Sequence, residues 1–447
     1  MSGDAIEARF LGDAAVQAPA GVRPLAVVRP RITAQVAWTM SLCHAHRIPV
    51  VVQGGQSGLA GGATPGDGWV VLSFERMRNI GPVDVAAGTV TVEAGAILQS
   101  VQAAADAAGL LFPLDIGARG SCTIGGNIAT NAGGNRVLRY GMMRELVLGL
   151  EVVLPDGAVV TALNGMLKNN AGYDVKQIFI GSEGTLGVVT RAVLRLFAKP
   201  SNTQTALCAA ADYKGVLEML QLARAQCGSS LSAFEVMWPD YYRLAGDAGL
   251  RLPLAPGAPA YVLVEQMGTS EPDDARMFEQ MISDALDAGH ISDGVIAQSD
   301  RERADIWNIR DSVAELPRTL GQHAMFDVSV PIQAVGAFID DCDKALRTRW
   351  ADTRMLAFGH VADSNIHLAV HVPGPAPLPH AEIDEVIYDW VGRYAGSISA
   401  EHGIGTLKRA YLAQSRSPAE IDLMLAMKSF LDPRGILNPG KVLSPSS

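Results

Sequence analysis

Between residues 22 and 200, short Val- and Ile-rich runs alternate with turn signals along the chain. Pro24 to Arg29 reads as a first strand, Ile32 to His46 as a helix and Pro49 to Val52 as a buried strand. Trp69 to Ser73 is the next strand, and Leu146 to Leu154, the turn Pro155, Asp156 and Gly157, and Ala158 to Thr161 predict a hairpin. Phe179 and Ile180, a glycine-bearing turn, and Val188 to Phe197 predict further strands. Glycine density falls at Lys199 to Asn202, which marks a boundary. Beyond it, Val216 to Cys227 and Asp274 to Ala288 have helical spacing, with strands at Ala260 to Gln266 and Met355 to Phe358 between and after them. Ile421, Met424, Leu425, Met427 and Leu431 predict a helix over Ser417 to Leu431, followed by the Pro- and Gly-punctuated tail DPRGILNPGKVL. The fold class expected is α+β.

Composition narrows the function. A chain of 447 residues is long for one core and suits two domains. Its 48% apolar and 18% charged residues describe a globular protein, and the net charge of −10 offers no clustered basic surface for nucleic acid. No apolar run reaches eighteen residues, so no membrane span is expected, and the first residues lack a secretory or lipidation pattern. Cys43, Cys122, Cys208, Cys227 and Cys342 are scattered without C-x-x-C spacing, which suits a reducing compartment; a cytoplasmic protein is expected.

Two glycine-rich stretches carry the first chemistry. PVVVQGGQSGLAGG (49–62) runs from a strand into a loop whose bare amides can cradle an anion. A dinucleotide fingerprint requires a helix straight afterwards, whereas Pro65, Gly66 and Gly68 follow, so that reading is disfavoured and a plain structural turn stays open. FPLDIGARGSCTIGGN (112–127) and its continuation to Gly134 hold only two charges up to Asn127, Asp115 and Arg119. Ser121, Thr123, Asn127 and Thr130 are candidate hydrogen-bonding groups for a large planar polar ligand. GSEGTLG (181–187) adds a third loop of close approach.

These runs, with RYGMMRELVLGLEVVLPDG, KNNAGYDVKQIFIGSEGTLGVVT and the tail LNPGK, resemble the vanillyl-alcohol-oxidase-type FAD enzymes. More narrowly they are similar to the branch of D-lactate dehydrogenase, D-2-hydroxyglutarate dehydrogenase and the glycolate oxidase flavin subunit. The resemblance implies an FAD-binding domain over 1–200, an α+β substrate domain over 201–408 and a C-terminal segment, 409–447, that completes the FAD domain. It assigns Gly54, Gly55, Gln56, Ser57, Gly58 and Leu59 to the pyrophosphate. Pro113, Asp115, Gly117, Ser121, Gly125, Asn127, Thr130 and Val188 would line adenine and flavin, with Asn438 closing the site. The QGGQSG loop holds no His or Cys, so non-covalent FAD is expected.

MLAFGHVADSNIHLAV (355–370) reads as strand, turn, strand. A turn symmetric about Asp363 and Ser364 pairs His360 with His367, with Cβ atoms about 5 Å apart on one face. Two such imidazoles can share a divalent metal; two unrelated polar positions are the alternative. SAEHGIG (399–405) supplies a carboxylate, Glu401, and a neighbouring proton acceptor, His402, although alone it could be a helix start. Arg310 of WNIR is either a solvated charge or a carboxylate clamp. The resemblance implies the functional reading of each: His360, His367 and Glu401 hold the metal, zinc being expected, His402 is the general base, and Arg310 binds substrate. His371 matches no motif and reads as a bystander.

Hydroxyglutarate-type enzymes look to carry Thr, Lys and Asn at the positions of Ala314, Met325 and Ala369. Without them a second substrate carboxylate is poorly compensated. Arg310, His323 and Met325 are therefore the substrate-binding candidates, and a D-lactate-like monocarboxylate is favoured. His323 keeps D-2-hydroxyglutarate open. The expected reaction is oxidation of a D-2-hydroxy acid to a 2-oxo acid by hydride transfer to FAD. An oxygen-using oxidase and a non-catalytic flavin subunit are the competing readings. A homodimer and a quinone, electron-transfer flavoprotein or cytochrome as electron acceptor are expected.

Overall fold

The computed structural model describes residues 1–374 and 377–444; the remainder of the expected 201–408 and 409–447 segments lies outside the described residues. The chain forms two compact units, one of residues 1–134, 140–199 and 401–447, the other of 135–139 and 200–400.

The first unit begins with three short parallel strands, β1 (Ala26–Val28), β2 (Val50–Gln53) and β3 (Val70–Ser73), in the order β1-β3-β2. Parallel strands need crossovers, and the helix Thr33–His46 supplies the first. An antiparallel sheet follows, from β4 (Ile80–Asp84) and β5 (Thr89–Glu93). After the two-residue β6 (Leu110–Leu111), β7 (Val147–Val153), β8 (Val159–Ala162) and β9 (Val188–Arg195) complete it in the order β4-β5-β9-β7-β8, while β10 (Phe197–Ala198) pairs β6. Val50, Leu72, Val92, Leu150 and Val188, drawn from both main sheets, share one buried core. Phe179, expected in a strand, instead ends the short helix Lys176–Phe179, whose carbonyls Arg144 ties down from Gln177 and Ile180.

The chain returns to this unit at Glu401, eight residues before the expected 409. Backbone N–H groups of Ile404 and Gly405 donate to Glu183 at 2.7 and 2.8 Å, which fastens that stretch early. The tail then lies beside β2 as an added rung: Val50 N–H donates to Ile436 and Asn438 N–H to Val50, each at 2.8 Å.

The second unit is one seven-stranded antiparallel sheet. β11 (Asn202–Ala210), β12 (Leu231–Met237), β13 (Ala260–Gly268), β14 (Ile291–Ile296), β15 (Ala324–Ser329), β16 (Arg354–Gly359) and β17 (Asn365–His371) lie in the order β14-β11-β13-β12-β16-β17-β15. Its two halves meet where Val236 pairs Gly359 and Met237 pairs Phe358. Residues 135–139 also belong to this unit, because Arg139 donates to the Met267 carbonyl and Arg136 lies 3.9 Å from buried Glu265.

Candidate active site

The glycine-rich loops of the first unit pack backbone against backbone. A Cβ on Gly55 would lie 2.0 Å from the Ser121 carbonyl oxygen, and one on Gly54 would lie 2.3 Å from Thr123 Oγ1. Thr123 Oγ1 is buried without a hydrogen-bond partner, so a polar group is held ready at the seam of the two loops. Gln56 takes a left-handed φ of 56° and donates to the Gly12 carbonyl. Ser57, Gly58, Leu59 and Gly117 are half-buried to exposed along the loops. Asp115 pairs Arg119 at 3.3 Å, Ser121 donates to Ala118, and Thr130 back-bonds to Gly126 within the helix Ile124–Ala129. Gly125, Pro113, Asn127 and Val188 are set into packing: a Cβ on Gly125 would strike Ala94, Asn127 reaches Cys122 Sγ at 3.6 Å, and Val188 is fully buried.

Two tail residues lock this frame. Asn438 accepts the Val52 N–H at 3.1 Å and donates to Glu183 O at 2.8 Å. Lys441, 4% exposed, directs its ammonium at the carbonyls of Gly61, Gly62 and Thr64 at 2.9, 2.9 and 2.6 Å. Burial lowers its pKa to about 8. The EHGIG turn is clamped by the same loops. Glu183 holds it from one side, and the N–H of Thr406 donates to Ala60 O at 2.9 Å from the other. Burial raises the Glu183 carboxyl, with the two amides acting in opposition. His402 therefore stands on a turn fixed to the loops expected to carry FAD, its Nε2 3.7 Å from Glu401 Oε1.

In the second unit the two histidines do meet, but not by the symmetric register. Phe358, not His360, is the partner of His367. A short 3-10 turn over Val361–Asp363, with Ser364 in the left-handed region, takes up the difference. The slip is two residues, which preserves the parity of the pleat, so both imidazoles still share a face. Their ring centroids lie 5.5 Å apart at 79°. Gly359 is required here, since a Cβ would sit 2.5 Å from the Asn365 carbonyl oxygen.

Beyond the last β12–β16 pair, side chains continue the contact. Glu235, 1% exposed, places Oε1 2.6 Å from His360 Nδ1 and Oε2 2.9 Å from Arg310 Nε. An ionised carboxylate only accepts, so the His360 proton sits on Nδ1 and the Nε2 lone pair is turned out, 3.1 Å from Arg310 Nη2. Burial alone would raise the Glu235 carboxyl; His360 and Arg310 lower it to about 2. Arg310 ends the helix Asp300–Arg310, and Trp307, one turn earlier, donates to Glu265 at 2.8 Å. The W-x-x-R spacing thus has a cause: two buried glutamates on neighbouring strands grip one side of one helix.

Glu401 reaches the pair through the chain itself. Ala400 N–H donates to Asp327 O at 3.3 Å, and Asp327 is the register partner of His367. One peptide further, Glu401 offers a carboxylate oxygen, and it and one nitrogen each of His360 and His367 all lie within 4.8 Å of one another; Asp327, Glu401 and His402 form a second such group. Met325 lies half-exposed on the edge strand opposite Ala369, which is paired in turn with Leu356, an apolar rung two residues from His367. At the end of the same strands His371 Nδ1 is 2.7 Å from Gln322 O, His323 Nδ1 is 2.6 Å from Gly321 O, and Arg354 is the partner of His371. Ala314 lies in the short 3-10 helix after Arg310. Glu235, Asp327, Glu183 and Lys441 are absent from the sequence-based site; only a charge inside the apolar strand LSAFEVM flags the first.

Residues 24–163 match the FAD binding domain family and residues 199–442 the FAD linked oxidases, C-terminal domain family. The mitochondrial D-2-hydroxyglutarate dehydrogenase of Bos taurus is 38% identical over 93% of this chain and 76% of that protein. The D-2-hydroxyglutarate dehydrogenase of Xanthomonas citri pv. viticola is 39% identical over 94% of this chain and 89% of its own length. A Schizosaccharomyces pombe mitochondrial protein provisionally named a D-lactate dehydrogenase is 37% identical over 93% of this chain and 81% of its own length. Substrate-bound p-cresol methylhydroxylase has the same fold, with a TM-score of 0.75 at 18% identity over 98% of this chain and 92% of that one. The expected cytoplasmic location is overturned: the bovine and fission-yeast relatives are designated mitochondrial, and only the Xanthomonas protein of the three carries no such word. Among the described residues no helix is long and apolar enough to cross a membrane.

Proposed function

The chain belongs to the FAD-linked oxidase family and is an FAD-dependent oxidoreductase, and from that premise we propose that it oxidises the C2 hydroxyl of a small D-2-hydroxy acid. The observation that carries the reading is a buried guanidinium, Arg310, 3.1 Å from one of two facing imidazoles. A cation held in low dielectric binds a carboxylate strongly, and the adjoining nitrogens lie where a C2 hydroxyl would project.

The residues suit the groups the family implies. Bare amides and an unpartnered buried hydroxyl at Thr123 fit FAD, which when bound supplies the two-electron acceptor. Two imidazoles and a carboxylate, with donor atoms already within 4.8 Å of one another, would suit a divalent cation such as zinc. Such a cation would lower the pKa of the substrate hydroxyl. His360 Nε2 would hold such a cation, and Arg310 Nη2, 3.1 Å from it, would then be available to the substrate. Arg310 clamps the carboxylate, and His402 takes the hydroxyl proton on its imidazole, with the Glu401 carboxylate beside it to steady the cation formed.

D-2-hydroxyglutarate is the substrate favoured by the relatives' names. Arg354, paired across the hairpin with His371, offers a charge for a distal carboxylate, and His323 a further polar group at the same end of the strands. A second reading, a monocarboxylate such as D-lactate, is favoured by the apolar rung of Met325, Ala369 and Leu356. Anaerobic mixing with a panel of D- and L-2-hydroxy acids, followed by flavin bleaching, decides between them. Bleaching by D-2-hydroxyglutarate at far lower concentration than D-lactate supports the first; no bleaching by any D-acid removes both. Mixing the reduced protein with air tests the dehydrogenase reading, which expects slow reoxidation.

A further inference from the structure

We propose that Glu235 is a positioning residue that sets the substrate-binding cation and a metal-facing imidazole with a single carboxylate. The inference rests on the proposed function for the roles of Arg310 and His360, and on geometry alone for Glu235.

Glu235 divides its two oxygens. Oε1 takes the His360 Nδ1 proton at 2.6 Å, and Oε2 takes the Arg310 Nε proton at 2.9 Å. One bond fixes the imidazole tautomer and ring rotation, leaving Nε2 as the donor atom; outer carboxylates of this kind orient metal-binding histidines. The other fixes the Nε edge of the guanidinium, whose Nη1 lies 3.3 Å from Asp311 Oδ1 and whose Nη2 lies 3.1 Å from His360 Nε2. A carboxylate is costly to bury at 1% exposure, and no packing role demands one in the strand LSAFEVM. Both of its partners are site residues. Glu265, the register partner of Ala233 and so on the same face, holds the helix through the Trp307 indole N–H and leaves Arg310 to Glu235. The helix's end is further pinned by Tyr241, whose hydroxyl donates to Arg310 O at 2.7 Å, so rotation about the side chain is what Glu235 removes.

The test compares the full-length FAD-loaded protein with Glu235→Gln and Glu235→Asp. Zinc affinity is read by competition with a chromophoric chelator, KM and kcat are measured with the acid that bleaches the flavin, and flavin-to-protein ratio comes from absorbance. Gln keeps the volume but turns one acceptor into a donor. E235Q is expected to bind zinc 10- to 100-fold more weakly and to raise KM about tenfold at an unchanged flavin ratio, with E235D recovering part of both. Zinc affinity and KM equal to wild type, or a change confined to thermal stability, overturns the proposal. Should E235Q not fold, E235Q/R310M removes the stranded buried cation; zinc affinity no weaker than in R310M alone overturns it equally. A wild-type protein that binds no zinc and is bleached by no hydroxy acid brings down the proposed function itself, a result distinct from a variant that matches an active wild type.

Discussion

Glu183 accepts the N–H groups of both Ile404 and Gly405, so the turn carrying His402 is held through its backbone. Replacing His402 by Ala should therefore leave flavin content intact while slowing flavin reduction by about 10²- to 10⁴-fold, measured by stopped flow; an unchanged rate excludes it as the base. Lys441 is a different residue-scale case. Lys441→Met strands three carbonyls and should cost about 2 kcal/mol in urea unfolding near neutral pH. Its folded pKa, about 8, lies below the unfolded lysine value, so between those values the unfolded chain binds more protons and wild-type stability gains from this group as pH rises. The gap to the variant should widen from pH 8 toward 10; a constant gap contradicts the assignment.

Among the elements, the hairpin of β16 and β17 shows how parity outranks register. Deleting one residue from Val361–Ser364 should turn His360 to the opposite face and abolish zinc binding, whereas the natural two-residue offset leaves the pair intact. A one-residue deletion variant that still binds zinc would refute this. Short-range pattern made much legible: the strands near Val50 and Val70, the 147–162 hairpin and the Pro418–Leu431 helix stand close to where apolar spacing and turn residues put them. The 3-10 turn was not legible, because Ala362 and Asp363 carry no signal that separates it from a tight symmetric loop. The Glu235–His360 contact was not legible either, since 125 residues separate its partners and no local pattern encodes a non-local pair.

For the whole molecule, the proposed metal gives the decisive test. Incubation with a strong chelator should abolish turnover while the flavin spectrum persists, and added zinc should restore it; activity in protein shown to be metal-free would dismiss the His360, His367 and Glu401 assignment. The rung that Ile436 to Asn438 adds beside β2 has a consequence in time. Asn438 bonds Val52 across 386 residues, so a nascent chain exposes the β2 edge until residues 436–438 have emerged to cover it. The second unit, continuous but for five residues, can close on the ribosome, whereas the nucleotide-binding unit must wait for its segment beyond residue 400. Ribosomes stalled before residue 436 would then hold protein that is half finished and colourless.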